Sequence, residues 1–175
     1  SPQLGTVVKG SRPTDGGNLI VEVDDYATVS ADPIAAKYLR PFKGARELLH
    51  GLDRWCLWMA TDGFDPADIQ KSQTLRSRVE AVQMGRSNSK KASTRALASI
   101  PHLFTERRAQ TVPYLCIPRH VGETRRYFLT QRFEPQVICG DANSQIPDED
   151  GLQFGLISSS MFITWQRTVG GRLKS

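Results

Sequence analysis

The chain has 175 residues, 39% of them hydrophobic, enough for one substantial core. No run approaches the roughly 20 apolar residues that span a bilayer, and the opening Ser1-Pro2-Gln3-Leu4-Gly5 lacks the charged and apolar parts of a secretion signal. The net charge of +5 is unevenly spread: residues 68–132 hold 13 Lys and Arg against Asp68, Glu80, Glu106 and Glu123, a local +9, and the rest carries −4. A continuous cationic stretch of this kind suits a surface that neutralises phosphates.

In chain order, Asp15-Gly16-Gly17-Asn18 reads as a turn leading into a strand over 19–23, because glycine permits the turn and Asx side chains bond the local backbone. Asp32-Pro33 has the form of a helix cap followed by proline at the first helical position, opening a short helix that runs to Tyr38 and is stopped by Pro41. Residues 54–59, Arg-Trp-Cys-Leu-Trp-Met, have the density of a buried strand. Asp65-Pro66 begins a helical region in which Leu75, Val79 and Val82 recur at helical spacing and leave Arg76, Arg78 and Arg86 exposed or flanking. The small, polar, basic stretch 87–95 is expected to be a mobile loop.

Three strands follow in this reading: the apolar run 112–117, the alternating segment 127–133 and the short segment 136–139. Asp148-Glu149-Asp150 precedes an apolar stretch expected to form one buried helix over 152–165, ending near Gly170-Gly171. Trp55, Trp58 and Trp165 are assigned to core packing from their apolar neighbours. The resulting fold class is α+β: small antiparallel sheets packed with several helices in a single domain, residues 1–175, excised from a longer chain.

Little points to catalysis. Cys56, Cys116 and Cys139 are odd in number and widely spaced, which favours buried reduced thiols over disulfides or a zinc site. His50, His102 and His120 lack metal-ligand spacing, and neither a Walker loop, a dinucleotide fingerprint nor a nucleophile elbow is present. The segment 118–133 is instead rich in planar hydrogen-bonding and cationic side chains. Arginine can bond guanine O6 and N7 together, a carboxylate can accept from cytosine N4, and glutamine can pair with adenine. Arg119, His120, Glu123, Thr124, Arg125, Arg126 and Gln131 are therefore the candidate base readers. For Glu123, base reading and simple pairing with Arg125 or Arg126 both stand. Lys71, Arg76, Arg78, Arg86, Lys90, Lys91, Arg95, Arg107 and Arg108 are candidate phosphate contacts, which position a protein without specifying sequence.

Four blocks carry a family resemblance: residues 13–20; residues 40–44 continuing through 54–58; residues 117–127, Ile-Pro-Arg-His-Val-Gly-Glu-Thr-Arg-Arg-Tyr; and residues 154–161 continuing through 165–174. In this order they resemble the target recognition region of MmeI-like DNA methyltransferases. The resemblance implies a cytoplasmic bacterial restriction-modification protein in which one long polypeptide methylates adenine using S-adenosylmethionine, often with an N-terminal nuclease. It implies double-stranded DNA and the methyltransferase domain of the same polypeptide as partners, with no membrane. Glu123, Arg125 and Tyr127 match the family's Glu-x-Arg-x-Tyr recognition pattern, and Gly122 stands where serine is common. The family's Asn-Pro-Pro-Tyr catalytic loop and Gly-containing cofactor loop are absent, so this segment is expected to hold neither catalytic residues nor cofactor. Two rival functions remain: a docking module of the same enzyme without base readout, and an RNA-binding domain.

Overall fold

The turn at Asp15 forms as its residue types require. Gly16 and Gly17 take positive φ values of 64° and 87°, and the Asp15 carboxylate accepts from the backbone N–H groups of Leu19 at 2.5 Å and Ile20 at 3.2 Å. These contacts belong to a computed structural model that describes residues 5–120, 122 and 125–170. Strands β1 (Val8–Lys9) and β2 (Ile20–Val21) flank the turn, and the chain then enters helix α1 (Val23–Ala31). The expected strand over 19–23 is therefore cut short. Asp24 and Asp25 occupy the first helical turn, where negative charge suits the helix dipole, and that signal ends the apolar run early.

Asp32 does cap the next turn. Its Oδ1 accepts from Ile34 N at 2.9 Å and Ala35 N at 3.1 Å, although the turn over Ala35–Tyr38 is a 3-10 helix. Pro41 then lies inside β3 (Leu39–Lys43), which leads to α2 (Ala45–His50) and β4 (Trp55–Leu57). Gly51, with φ of 65°, ends α2 in the left-handed conformation. With β7 (Ile138–Cys139) these strands make a four-stranded sheet in the order β2-β4-β3-β7, antiparallel except for the parallel pair β3 and β7.

Helices α3 (Ala67–Lys71) and α4 (Gln73–Ser87) cover that sheet, and Leu75, Val79 and Val82 are buried as their spacing requires. Tyr38 and Lys37 both donate to the Asp68 carboxylate, at 2.8 and 3.1 Å, tying the 3-10 turn to α3. The stretch read as a mobile loop is instead ordered into α5 (Ala92–Ala96) and a 3-10 turn over Leu97–Ser99. Composition missed this because the stabilising contacts are not hydrophobic: Arg95 donates to the carbonyls of Ser89 and Lys90 at 2.8 and 3.0 Å.

The second sheet, β1-β8-β5-β6, is antiparallel throughout, with β5 (Tyr114–Pro118), β6 (Gln131–Phe133) and β8 (Asn143–Pro147). The expected strand over 127–133 keeps only its last three residues. The predicted buried helix over 152–165 is likewise two helices, α6 (Leu152–Ile157) and α7 (Ser160–Val169), parted where the Ser159 hydroxyl accepts from Phe162 N at 3.2 Å. Of the side chains in these two helices only Ile163 is buried, and Trp165 is 60% exposed rather than packed in the core. The acids before α6 act as expected: Asp148 and Asp150 accept from the N–H groups of Gln153 and Leu152 at 2.9 and 3.0 Å.

All three cysteines are buried and reduced, and the Cys116 and Cys139 sulfurs lie 3.4 Å apart. Their mutual contact and burial push the Cys139 thiol upward, so it stays protonated. The two sheets meet at a close backbone approach, where a Cβ on Gly10 would fall 2.2 Å from the Gly140 carbonyl oxygen. Among the described residues no helix is long and apolar enough to cross a membrane, and no cluster of three His, Cys, Asp or Glu side chains could hold a metal.

His102 stacks on Phe64 with ring centroids 4.7 Å apart. Burial, helped by the positive charges of Arg107 and Arg86, lowers its pKa below the ordinary 6.5. The unfolded chain thus binds the proton more readily, so this site's contribution is complete above about pH 6.5 and is lost as pH falls towards the depressed folded value. His102→Phe is expected to flatten that part of the stability profile. Thermal unfolding between about pH 7 and 5 checks it, and identical slopes in both proteins would refute the assignment.

Candidate nucleic-acid interface

The base-reading candidates gather on one connection. Strand β5 carries the chain to Pro118, and the Arg119 N–H extends its pairing by donating to Ala142 O at 3.4 Å. The chain returns at Gln131, paired opposite Cys116 in β6. Arg119, His120, Arg126 and Gln131 are exposed and Arg125 is half-buried. Glu123 and Thr124 lie outside the described residues. The expected alternation over 127–133 fails, since 125–130 leave the sheet. In β6 both Gln131 and Arg132 are exposed, and Arg132 donates to the carbonyls of Asp148 and Glu149, both at 2.8 Å.

The phosphate candidates do not form one set. Lys71 pairs with Asp65 and Asp68 at 3.3 and 3.6 Å, Arg78 with Asp25 at 2.7 Å, and Arg108 with Glu106 at 2.8 Å. Charge segregated along the sequence is thus partly reunited in space, because Asp25 and Asp65 come from outside the cationic stretch. Arg76 is half-buried and donates to Gln70 O. Lys90, Lys91, Arg95 and Arg107 are exposed, and among the described residues no acid pairs with them or with Arg119, Arg125 or Arg126.

Arg86 is a correction. It is 2% exposed, not at a flanking surface, and its guanidinium donates to five carbonyls: Pro13 (2.9 Å), Thr14 (3.0 Å), Leu97 (3.1 Å), Ile100 (3.0 Å) and Leu103 (2.8 Å). The rigid fork of five donors is used up internally, leaving none for a phosphate. The expectation of an exposed or flanking Arg86 fails because residue 86 follows Val79 by seven positions, two helical turns, and so falls on the buried face of α4. In the structure it clamps the α5 region to the loop before Asp15, and so fixes the base from which Lys90, Lys91 and Arg95 project.

A chain of charged contacts links this region to the β5–β6 connection. Asp141, beside Ala142, accepts from Arg12 at 2.6 Å; Arg12 lies 3.3 Å from Glu106, which holds Arg108. A neighbouring cleft of about 650 Å³ includes Glu22, Arg46, Glu47, Arg54 and Asp141 in its lining. Its Arg54 is paired with Glu22 and with Glu47 at 3.6 Å, so the cleft adds little positive charge.

This arrangement, an exposed cationic loop on a rigid sheet, can be set beside known proteins. A family model described as the target recognition domain of MmeI matches residues 1–175. The chain belongs to that family. DNA methyltransferase A of Bacillus subtilis (strain 168) is 26% identical over 167 residues, covering 95% of this chain and 19% of that protein. A solved structure of the Type IIL restriction-modification enzyme MmeI in complex with DNA is 34% identical, with a TM-score of 0.88, over 98% of this chain and 23% of that one. The chain therefore spans about a fifth of the length of these relatives.

Within this MmeI-type recognition domain, two side chains at the loop were missed by sequence reasoning. Phe162 meets Phe128 edge-on, with centroids 5.4 Å apart at 83°, and Arg167 donates to the Arg125 carbonyl. Both lie in α7, which the sequence reading had assigned to the core up to Trp165. The available signal, for Arg167 alone, was the resemblance block over 165–174, which carried no role.

Proposed function

We propose that this domain reads double-stranded DNA sequence for an adenine-specific, S-adenosylmethionine-dependent DNA methyltransferase of a bacterial restriction-modification system. It works as one part of a longer polypeptide, whose methyltransferase domain holds the cofactor and flips the target base out of the helix. The observation that carries the reading is the β5–β6 connection: base-edge chemistry concentrated on an exposed loop, its cations free of acidic partners among the described residues and its ends fixed in a sheet. In this reading Arg119, His120, Glu123, Thr124, Arg125, Arg126 and Gln131 address base edges in the major groove. Lys90, Lys91, Arg95 and Arg107 hold phosphates, with Arg108 alongside them. The exposed apolar side chains of α6 and α7, including Leu156 at 52%, Met161 at 81% and Trp165 at 60%, support contact with the methyltransferase domain.

Competition binding tests the ligand class. The longer polypeptide is expected to prefer duplex DNA over single-stranded RNA and over heparin. Equal competition by heparin would favour the docking reading, and stronger competition by RNA would favour the RNA-binding one. Residue roles have a separate test: Arg125→Ala or Glu123→Ala is expected to relax the modified sequence at one position, by roughly 1 to 3 kcal/mol of lost discrimination per base contact. Unchanged sites in both variants would place the readers elsewhere.

A further inference from the structure

We propose that α7 sets the shape of the recognition loop, with Phe162 and Arg167 as positioning residues that fix which bases the loop reads. The proposal rests on the base-reading function above. Residues 125–130 have left the sheet, so ladder hydrogen bonds do not hold them. Two contacts from α7 take over that task. The Arg167 guanidinium donates to the carbonyl of Arg125, and the Phe162 ring packs edge-on against Phe128, a preferred aromatic geometry. Between these two anchor points lie only Arg126 and Tyr127, both exposed, Tyr127 at 58%.

The helix is suited to the purpose. Ile163, the one buried side chain of α7, is 3% exposed, and the Ser159 hydroxyl caps the first turn. Arg167 follows Ile163 by one turn and shares its face, while Phe162, one residue before Ile163, stands about 100° round the helix, so the two loop contacts leave α7 on either side of the buried Ile163. Trp165 braces Phe162, their centroids 6.0 Å apart. Contacts at Arg125 and Phe128 present the intervening Arg126 and Tyr127 in one orientation, and a base contact needs that because bidentate hydrogen bonding tolerates little displacement.

The test is the sequence profile of modified bases in DNA from cells carrying the full polypeptide. Phe162→Ala and Arg167→Met are expected to broaden the profile at one or two positions, with modification of near-cognate sites rising roughly 5-fold or more. Phe162→Tyr, which keeps the ring edge, is expected to restore the original profile. Arg167→Met alters an exposed side chain, so it remains informative if Phe162→Ala fails to fold. Profiles unchanged in both Phe162→Ala and Arg167→Met, while Arg125→Ala shifts the sites, would overturn the role of α7 and leave the base-reading function standing. A broadened profile that Phe162→Tyr does not restore would also overturn it. If Arg125→Ala and Arg126→Ala leave the profile intact as well, the base-reading function itself fails.

Discussion

Arg86→Met is expected to cost the domain roughly 3 to 5 kcal/mol, because it breaks a buried hydrogen-bond network and strands several carbonyls at once. The substitution keeps side-chain bulk but deletes every donor, leaving the Pro13, Thr14, Leu97, Ile100 and Leu103 carbonyls without the guanidinium. An unsatisfied buried polar group costs about 1 to 3 kcal/mol, but the sum falls short of five full penalties. The reason is local: Leu97 and Ile100 carbonyls also accept backbone N–H groups, at 3.3 and 3.1 Å. For a chain of this size the loss corresponds to a fall in Tm of roughly 10 °C. Arg86→Lys should recover less than half, since one ammonium cannot reproduce the planar fork. Thermal unfolding followed by circular dichroism measures both, and a Tm within about 2 °C of the parent for Arg86→Met would show that the clamp is dispensable.

Duplex DNA binding by the longer polypeptide should fall steeply with salt. Lys90, Lys91, Arg95, Arg107, Arg119 and Arg126 are exposed without acidic partners among the described residues. If each neutralises a phosphate, the log–log slope is about −5, and affinity drops roughly 10³-fold between 50 and 200 mM salt. Changing Lys90, Lys91 and Arg95 together to alanine should make the slope shallower by about 3. Lys71→Ala and Arg78→Ala should barely change it, because those charges are already met by Asp65, Asp68 and Asp25. Fluorescence anisotropy against salt resolves these cases. A slope near −1, or equal effects from the paired and unpaired groups, would mean that the phosphates are held elsewhere.

Legibility in the sequence followed the range of the interactions involved. The Asp15 turn, the Asp32 cap, the apolar stripe of α4 and the strands β4, β5 and β7 depend on neighbours a few residues away, and each lies where its pattern indicated. Arg86 did not, because its acceptors lie in segments as distant as Pro13 and Leu103, and a lone arginine carries no mark of such a clamp. The same limit hid the Asp25 partner of Arg78, whereas Asp68 and Asp65, the partners of Lys71, lie three and six residues before it. At 127–133 the alternation suggested a full strand, but β5 is paired with β6 only from Tyr114 to Cys116, and the loop departs beyond that. The break between α6 and α7 was written in Ser158-Ser159-Ser160, which is a cap and not only a patch of small side chains. The loop was legible as chemistry, while its support by α7 was a tertiary fact.

The central claim is that the loop spanning 119–131 chooses the bases, and exchanging that loop tests it most directly. Residues 119–131 of this domain would be replaced by the corresponding loop of a relative with a different modified sequence, and modified bases mapped across the host genome. The account predicts that modification moves to a sequence carrying the donor's bases at the positions the loop reads, with the remaining positions unchanged. A chimaera that stays active and modifies only the original sequence would contradict it.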